Sequence, residues 1–307
     1  MKILITPRSF GKHNVEHFKM LEAKGLTIVR NDTGGIMTEE DMKTAIKGAC
    51  GVIIGVDPLN ADVMAEAPEL RAVAKYGVGT DNIDLDYCKE KDIKVSITTG
   101  ANSEAVADYT FALILALARK VTEIDSHCRE RDWTKITTTD VTGKTLGLIG
   151  LGSIGKGVVS RAKGFNMKVL AFRRNWDEEY GREAGVEYAT VDEICKRSDF
   201  ISLHTPLTEE TRNLIGKREL DMMKPGVFIV NTARGGLIDE DALITALEDG
   251  RVGGAGLDAF AKEPPDDDRW YALKNVVMGS HCGASTIGAA ESMSLMSAQN
   301  LLKDLGL

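Results

Sequence analysis

Short apolar runs recur along the chain, separated by stretches with helical patterning. In the first hundred residues the runs are KILIT (2–6), LTIVR (26–30), GVIIGV (51–56), RAVAKY (71–76) and IKVSI (93–97). Helical stretches lie between them. The one over Thr38 to Lys47 opens with a threonine suited to an N-cap, followed by acids in the first turn. Such alternation predicts a parallel sheet with helices on both faces. A second alternation follows, with runs TLGLIG (145–150), KVLAF (168–172), FISLH (200–204), VFIVN (227–231), AGLDAF (255–260) and NVVMG (275–279). The pattern therefore predicts two α/β domains. The last stretch, Gly288 to Leu307, is helical in period and by that criterion fits either domain.

Between the two alternations lies VADYTFALILALARK, then the polar connection RDWTKITTTDVTGK. From Ala105 to Ala118 the run is shorter than the roughly 20 residues of a membrane span, and Asp108 interrupts it. A helix apolar nearly all round must be buried on several sides. It belongs either between domains or subunits, or in the centre of one domain.

The chain has 307 residues, 43% of them apolar and 27% charged, which is enough for two domains with their own cores. A net charge of -8 argues against nucleic acid as the main partner, because phosphate binding needs a basic face. The cysteines Cys50, Cys88, Cys128, Cys195 and Cys282 are scattered, with no CxxC pair, and read as reduced thiols of a cytoplasmic protein. The first residues, MKILITPRSF, lack the apolar core and cleavage site of a signal peptide. No metal site is expected: His13 and His17 are four apart on a predicted helix, but without further ligands a solvated helix face is the expectation. Trp133, Trp176 and Trp270 read as packing residues, with Trp270 close in sequence to a candidate site.

The strongest single signal is GLGSIG, Gly150 to Gly155, which follows a predicted strand and opens a predicted helix. Gly150 permits the tight turn, Gly152 the approach of backbone N–H groups to a pyrophosphate, and Gly155 close helix–strand packing. A ribose-binding carboxylate normally stands about 20 residues further on. Here the second strand ends in VLAFRR, placing Arg173 and Arg174 there instead. Guanidinium groups suit a 2′-phosphate, so the pair favours NADP(H) over NAD(H). The competing reading sends an arginine to solvent and gives the ribose to Asp177 or Glu178.

Three later segments carry acid–base chemistry: NTARGG with Arg234, DAFAKEPP with Asp258 and Glu263, and SHCGAS with His281. An arginine binds a carboxylate through two parallel hydrogen bonds. A histidine transfers protons near neutral pH, and a glutamate beside it orients the ring.

Together GVGTDNID, GLGSIG, HTPLTEETRNLI, MKPGVFIVNTARGGLIDE, GLDAFAKEPP and the closing His-x-Gly-Ala resemble the D-isomer-specific 2-hydroxyacid dehydrogenase family over nearly the whole chain. The resemblance implies an α/β architecture of two doubly wound parallel-sheet domains. A Rossmann cofactor domain, residues 99–284, would be inserted in a flavodoxin-like substrate domain, residues 1–98 and 285–307. It implies a homodimer whose interface includes the long apolar helix. It makes Arg234, Glu263 and His281 the catalytic residues. It assigns cofactor contacts to Ser153 and Ile154 in the loop, to His204, Thr205, Pro206, Thr232, Ala233 and Gly283, and to Asp258 as holder of the nicotinamide amide. Val78 and Gly79 would offer N–H groups to the substrate carboxylate beside Arg234 and His281, with Asn82 buttressing their loop.

The implied reaction is hydride exchange between NAD(P)H and C2 of a small 2-oxo acid, of hydroxypyruvate or glyoxylate type. The sequence departs from the family pattern in three places. Arginine replaces the ribose carboxylate at Arg173. Ile54-Gly55-Val56 carries no charge where phosphoglycerate-using members have an arginine, though Lys75 stands nearby in the pattern. Ser280, not proline, precedes the histidine. A D-3-phosphoglycerate dehydrogenase is thus the alternative substrate reading. A dinucleotide-sensing, corepressor-like binding protein is the alternative class.

Overall fold

A computed structural model describes all 307 residues and divides them into two units, Met1–Asn102 with Ser285–Leu307, and Ser103–Ala284. In chain order the first unit contributes β1 (Lys2–Ile5), α1 (Glu16–Glu22), β2 (Thr27–Arg30), α2 (Glu39–Ala45), β3 (Ala49–Ile54), α3 (Ala61–Ala65), β4 (Ala72–Lys75), α4 (Leu85–Glu90) and β5 (Lys94–Ile97). The second unit begins with α5 (Ser103–Ala118), α6 (Val121–Arg129), β6 (Thr145–Ile149), α7 (Ser153–Gly164), β7 (Lys168–Phe172), α8 (Glu178–Ala184), β8 (Val186–Tyr188), α9 (Val191–Arg197) and β9 (Phe200–Leu203). It continues through α10 (Lys217–Met222), β10 (Val227–Asn231), α11 (Glu240–Glu248), β11 (Val252–Leu257), α12 (Arg269–Ala272) and β12 (Val276–Met278), and the chain then returns to the first unit with α13 (Ile287–Leu305).

Every strand pairing is parallel. The first sheet has the order β2-β1-β3-β4-β5, the flavodoxin-like arrangement. The second runs β12-β11-β10-β9-β6-β7-β8, so the order reverses between β6 and β9, as in dinucleotide-binding sheets. Alternate residues fill the cores on the two faces of each sheet. In the first unit Leu4, Val52, Ile54 and Val73 face one core, while Ile3, Ile5, Ile53 and Ala72 face the other with Leu301 and Leu305 of α13. In the second, Ile149, Ile201, Leu203 and Ile229 oppose Leu146, Leu148, Phe200 and Val230 in the same way.

Local signals explain many boundaries. Thr38 caps α2 through a reciprocal box with Asp41, Asn60 caps α3, and Asp84 caps α4. The long apolar helix, α5, packs in the second unit's own core. Ala107 meets Gly157 of α7, and Leu113 and Leu117 lie over Gly254 and Gly256 of β11, where no side chain keeps them away. The C-terminal helix belongs to the first unit.

The structure corrects several sequence expectations. β11 begins at Val252 and ends at Leu257, earlier than AGLDAF; the pair Gly253–Gly254 hides its start from an apolarity pattern. β8 carries only three residues, one of them Glu187, and leaves no readable run. His17 lies on no solvated face: it is buried beside Phe10, and His13 precedes the helix altogether. Trp133 is 79% exposed and packs against no core, whereas Trp270 is buried against Phe260. All five cysteines are unpaired, and no helix is long and apolar enough to cross a membrane.

Candidate active site

The strand register fixes where chemistry gathers. Phe172 pairs with Ile149, Ile149 with Leu203, Leu203 with Asn231, Asn231 with Leu257, and Leu257 with Met278. These six residues form one row across the carboxyl end of the second sheet, roughly 24 Å long at a normal strand spacing. The residues that follow them are Arg173, Gly150, His204, Thr232, Asp258 and Gly279. Sites scattered over more than 100 residues of sequence thus begin side by side, where ligands of open parallel sheets bind.

At the centre of the row lies the glycine loop. Gly150 has φ +107, and a Cβ there would lie 2.4 Å from the His204 carbonyl oxygen. This position needs glycine for both its conformation and its space. A Cβ at Gly155 would sit 2.5 Å from the Gly150 carbonyl oxygen, so α7 packs directly on the loop. Gly152 is different: nothing lies within 4 Å of its Cβ position, and as N-cap of α7 it supplies no side-chain acceptor. No acid stands in the first turn. Ser153 and Ile154 form that first turn. The helix N-terminus therefore presents backbone donors and a positive end to open space, which fits a pyrophosphate.

On one side of this loop, Arg173 and Arg174 extend from β7. Arg174 pairs with Glu210 from the segment after β9, and both side chains are largely exposed. Because β9 and β7 flank β6, this ion pair bridges the two loops beside the glycine turn. Asp177 is committed elsewhere. Its Oδ1 accepts the Tyr180 N–H at 3.0 Å as cap of α8, and its Oδ2 meets Lys156 Nζ at 3.2 Å. The Tyr180 N–H, then Lys156, hold its carboxyl below the usual range. Lys156, which follows the glycine motif directly, adds a third cation to the two arginines.

On the other side, His204 begins the segment carrying Thr205 and Pro206. Its Nε2 lies 2.9 Å from Ser202 Oγ, while Nδ1 has no hydrogen-bond partner in the protein. Desolvation pushes the imidazole down to about 4, so it is neutral at neutral pH. A buried nitrogen without a partner, beside an open glycine cradle, is consistent with a ligand completing the site.

The NTARGG turn is built by Asn231, which the sequence reading did not single out. Its Oδ1 accepts the Ala233 N–H at 3.0 Å, and its Nδ2 donates to the Arg234 carbonyl at 2.7 Å. The buried amide thereby closes the turn that carries Arg234. Thr232 Oγ1 lies 3.0 Å from Thr110 Oγ1 of α5. Gly235 was also missed. A Cβ there would fall 1.9 Å from the Phe260 carbonyl carbon, so the arginine turn lies flush against the segment leading to Glu263. The double glycine of the motif was the available signal.

Glu263 and His281 meet as the sequence suggested. His281 Nδ1 lies 2.9 and 3.0 Å from the two carboxylate oxygens, and Glu263 Oε1 also accepts the Phe260 N–H at 3.1 Å. Both side chains remain about two-fifths accessible, at 42% and 38%. Asp258 is nearly sealed, with 2% exposure. It accepts the N–H groups of Cys282 and Gly283 at 2.9 and 2.7 Å.

Val78 and Gly79 follow β4 at the carboxyl end of its sheet. Asn82 donates to the carbonyls of Gly55 and Asp57 and accepts from Lys75 Nζ at 2.7 Å, so it buttresses this edge. Lys75 is buried, and its ammonium also donates to the Gly55 carbonyl at 2.6 Å. Beneath them, buried Asp57 accepts from Thr6 Oγ1 and the Met37 N–H, at 2.5 and 2.9 Å.

An open parallel sheet, a glycine cradle at its switch point and a carboxylate–imidazole pair on the same row define a dinucleotide-dependent oxidoreductase. The family model described as D-isomer specific 2-hydroxyacid dehydrogenase, NAD binding domain, matches residues 111–283. A glyoxylate reductase of Thermococcus litoralis is 41% identical over 260 residues, covering 82% of this chain and 78% of the relative. A hydroxypyruvate reductase of Thermotoga maritima is 42% identical over 261 residues, covering 83% and 84%. Among solved structures, the TT0316 protein of Thermus thermophilus superposes with a TM-score of 0.90 at 36% identity, over 100% of this chain and 97% of its own. The chain belongs to the D-isomer specific 2-hydroxyacid dehydrogenase family. It is an oxidoreductase that uses a nicotinamide dinucleotide to interconvert a 2-oxo acid and a D-2-hydroxy acid.

Proposed function

We propose that the chain reduces a small, unphosphorylated 2-oxo acid of the glyoxylate or hydroxypyruvate type, with NADPH favoured over NADH. The observation that carries the chemistry is the contact of Glu263 with His281 Nδ1 at 2.9 Å, which leaves the opposite ring nitrogen for substrate. The bound dinucleotide supplies the hydride. Arg234 holds the substrate carboxylate and steadies the negative charge that develops on the carbonyl oxygen. His281 Nε2 delivers a proton to that oxygen. Glu263 fixes the ring's tautomer and orientation and offsets the positive charge the ring carries before transfer. The N–H groups of Val78 and Gly79, at the carboxyl end of β4, are assigned to the substrate carboxylate. Oxidation of the hydroxy acid follows the same steps in reverse.

For the cofactor, the proposal assigns the pyrophosphate to Gly152, Ser153 and Ile154, and the flanking walls to His204, Thr205, Pro206, Thr232, Ala233 and Gly283. The 2′-phosphate falls to Arg173 and Arg174. The prior commitment of Asp177 to its helix cap and to Lys156 supports this choice over a ribose-binding acid. The neutral Ile54-Gly55-Val56 stretch and the internal bonding of Lys75 favour an unphosphorylated substrate over 3-phosphoglycerate. A homodimer is part of the same proposal, supported by the exposed Val121 and Trp133 in and after α6. Five unpaired thiols fit a cytoplasmic location.

Titration with NADPH and NADH, followed by nicotinamide fluorescence, tests the cofactor assignment. Tighter NADPH binding that disappears when Arg173 and Arg174 become Ala is the expected result; equal or tighter NADH binding overturns it. Turnover of glyoxylate, hydroxypyruvate and the phosphorylated acid tests the substrate class, and preference for the phosphorylated acid overturns that part.

A further inference from the structure

The least expected group near the site is the Asp258 carboxylate. It is 2% exposed, no arginine or lysine pairs with it, and it stands one residue past the strand row. A buried carboxylate is costly unless it is well hydrogen-bonded. Here it accepts two backbone N–H groups, those of Cys282 at 2.9 Å and Gly283 at 2.7 Å, one to each oxygen, and the Cys282 thiol at 3.6 Å. These are the two residues after His281. His281 itself has φ +55, a left-handed conformation uncommon in non-glycine residues.

The space around the carboxylate is shaped for this contact. A Cβ at Gly279 would lie 2.2 Å from Asp258 Oδ1 and 2.6 Å from the Tyr109 hydroxyl. Only glycine lets the turn come close enough for its N–H groups to be captured. The Tyr109 side chain, from α5, lies against both Gly279 and Gly283 and closes the far side. The residues from Asp258 to Glu263 then grip His281 twice. Asp258 holds the backbone just after it, and Glu263, steadied by the Phe260 N–H, holds its ring.

We infer that Asp258 is a positioning residue for the proton donor: it clamps the turn that aims His281, with Tyr109 as its backstop. The inference rests on the proposed role of His281. It adds to Asp258 a function separate from any contact with the nicotinamide amide.

A double-mutant cycle on the full-length protein tests it, with glyoxylate and NADPH as the assay pair and thermal melting as the check on folding. Asp258→Asn keeps the shape but replaces an acceptor oxygen with a donor that opposes a backbone N–H. It is expected to lower kcat about 100-fold, the cost of misplacing a reacting group by about an ångström. The NADPH dissociation constant stays within about twofold in that variant, since the dinucleotide's main contacts lie elsewhere. The double variant Asp258→Asn/His281→Gln should turn over no more slowly than His281→Gln alone, because the clamp acts only through the ring.

Multiplying losses in the double variant overturn the inference. So does an Asp258→Asn enzyme that binds NADPH poorly but recovers kcat at saturation, which makes the acid a cofactor holder only. If His281→Gln alone retains turnover, the donor assignment fails and the clamp fails with it, a result that does not involve Asp258. Should Asp258→Asn not stay folded, Tyr109→Phe replaces it. A loss of about threefold in kcat, absent in the His281→Gln background, supports the clamp; an unchanged kcat overturns it.

Discussion

The two units share one architecture yet use the polar groups at their carboxyl edges in opposite ways. In the first unit, Thr6, Asp57, Lys75 and Asn82 bond to one another and to the loops around them. Their charges stiffen a platform. In the second unit the row ends in groups less committed to one another: the helix start at Gly152 lacks a side-chain cap, and His281 meets Glu263 through Nδ1. An open parallel sheet concentrates loop ends at one edge whatever its sequence. What turns an edge into a reaction site is which polar atoms remain uncommitted there.

The contrast can be broken from either side. The largest effect is expected from His281→Ala: kcat falls by about 10²–10⁴-fold while NADPH still binds, measured by steady-state turnover and fluorescence titration. Gly235→Ala should be the most damaging small change. The added methyl meets the Phe260 backbone at 1.9 Å, so the Arg234 turn and the Glu263 segment must part. A loss of about 3 kcal/mol in stability is expected, with a drop in kcat, read by denaturant unfolding and turnover. Lys75→Met in the first unit should also cost about 3 kcal/mol, because the Gly55 carbonyl and Asn82 lose a buried donor. It should leave the NADPH dissociation constant unchanged, which separates platform from site.

His204 supplies a pH test. Its folded form resists protonation until about 4, whereas an unfolded histidine takes up its proton near 6.5. The group's contribution is therefore complete above 6.5 and is lost as pH falls from there towards 4. The loss amounts to roughly 3 kcal/mol, which His204→Gln should remove from the wild-type-minus-variant difference in melting curves across that window. The smallest effect is expected at Glu210. Glu210→Gln releases Arg174 from an exposed ion pair worth well under about 1 kcal/mol, and should tighten NADPH about twofold without tightening NADH.

Much of this arrangement was legible in the sequence, for physical reasons. Buried parallel strands must be apolar, so ten of the twelve strands announce themselves as runs whose ends fall within two residues of the observed ones. The glycine motif was legible because its chemistry needs a backbone without side chains at fixed spacing. Arg234, Glu263 and His281 could be named because the roles proposed for them lie in their side chains. The supports were not legible. Asn231, Gly235 and Gly279 act by close contacts within a turn or with segments distant in sequence, and such proximity has no periodicity. Trp133 misled because a large aromatic usually signals a core, and His17 because its burial depends on Phe10 in the preceding loop.

The return of α13 to the first unit bears on how the protein is made. Leu301, Leu302 and Leu305 complete a core whose other walls come from the first 76 residues. On the ribosome, the second unit emerges with all of its strands before that helix exists. The earlier segment must therefore wait, with one face of its sheet only partly covered by the residues around Phe10 and Leu21, until α13 arrives. The part of the chain longest exposed to chaperones is thus the platform, and the second unit can form its core first.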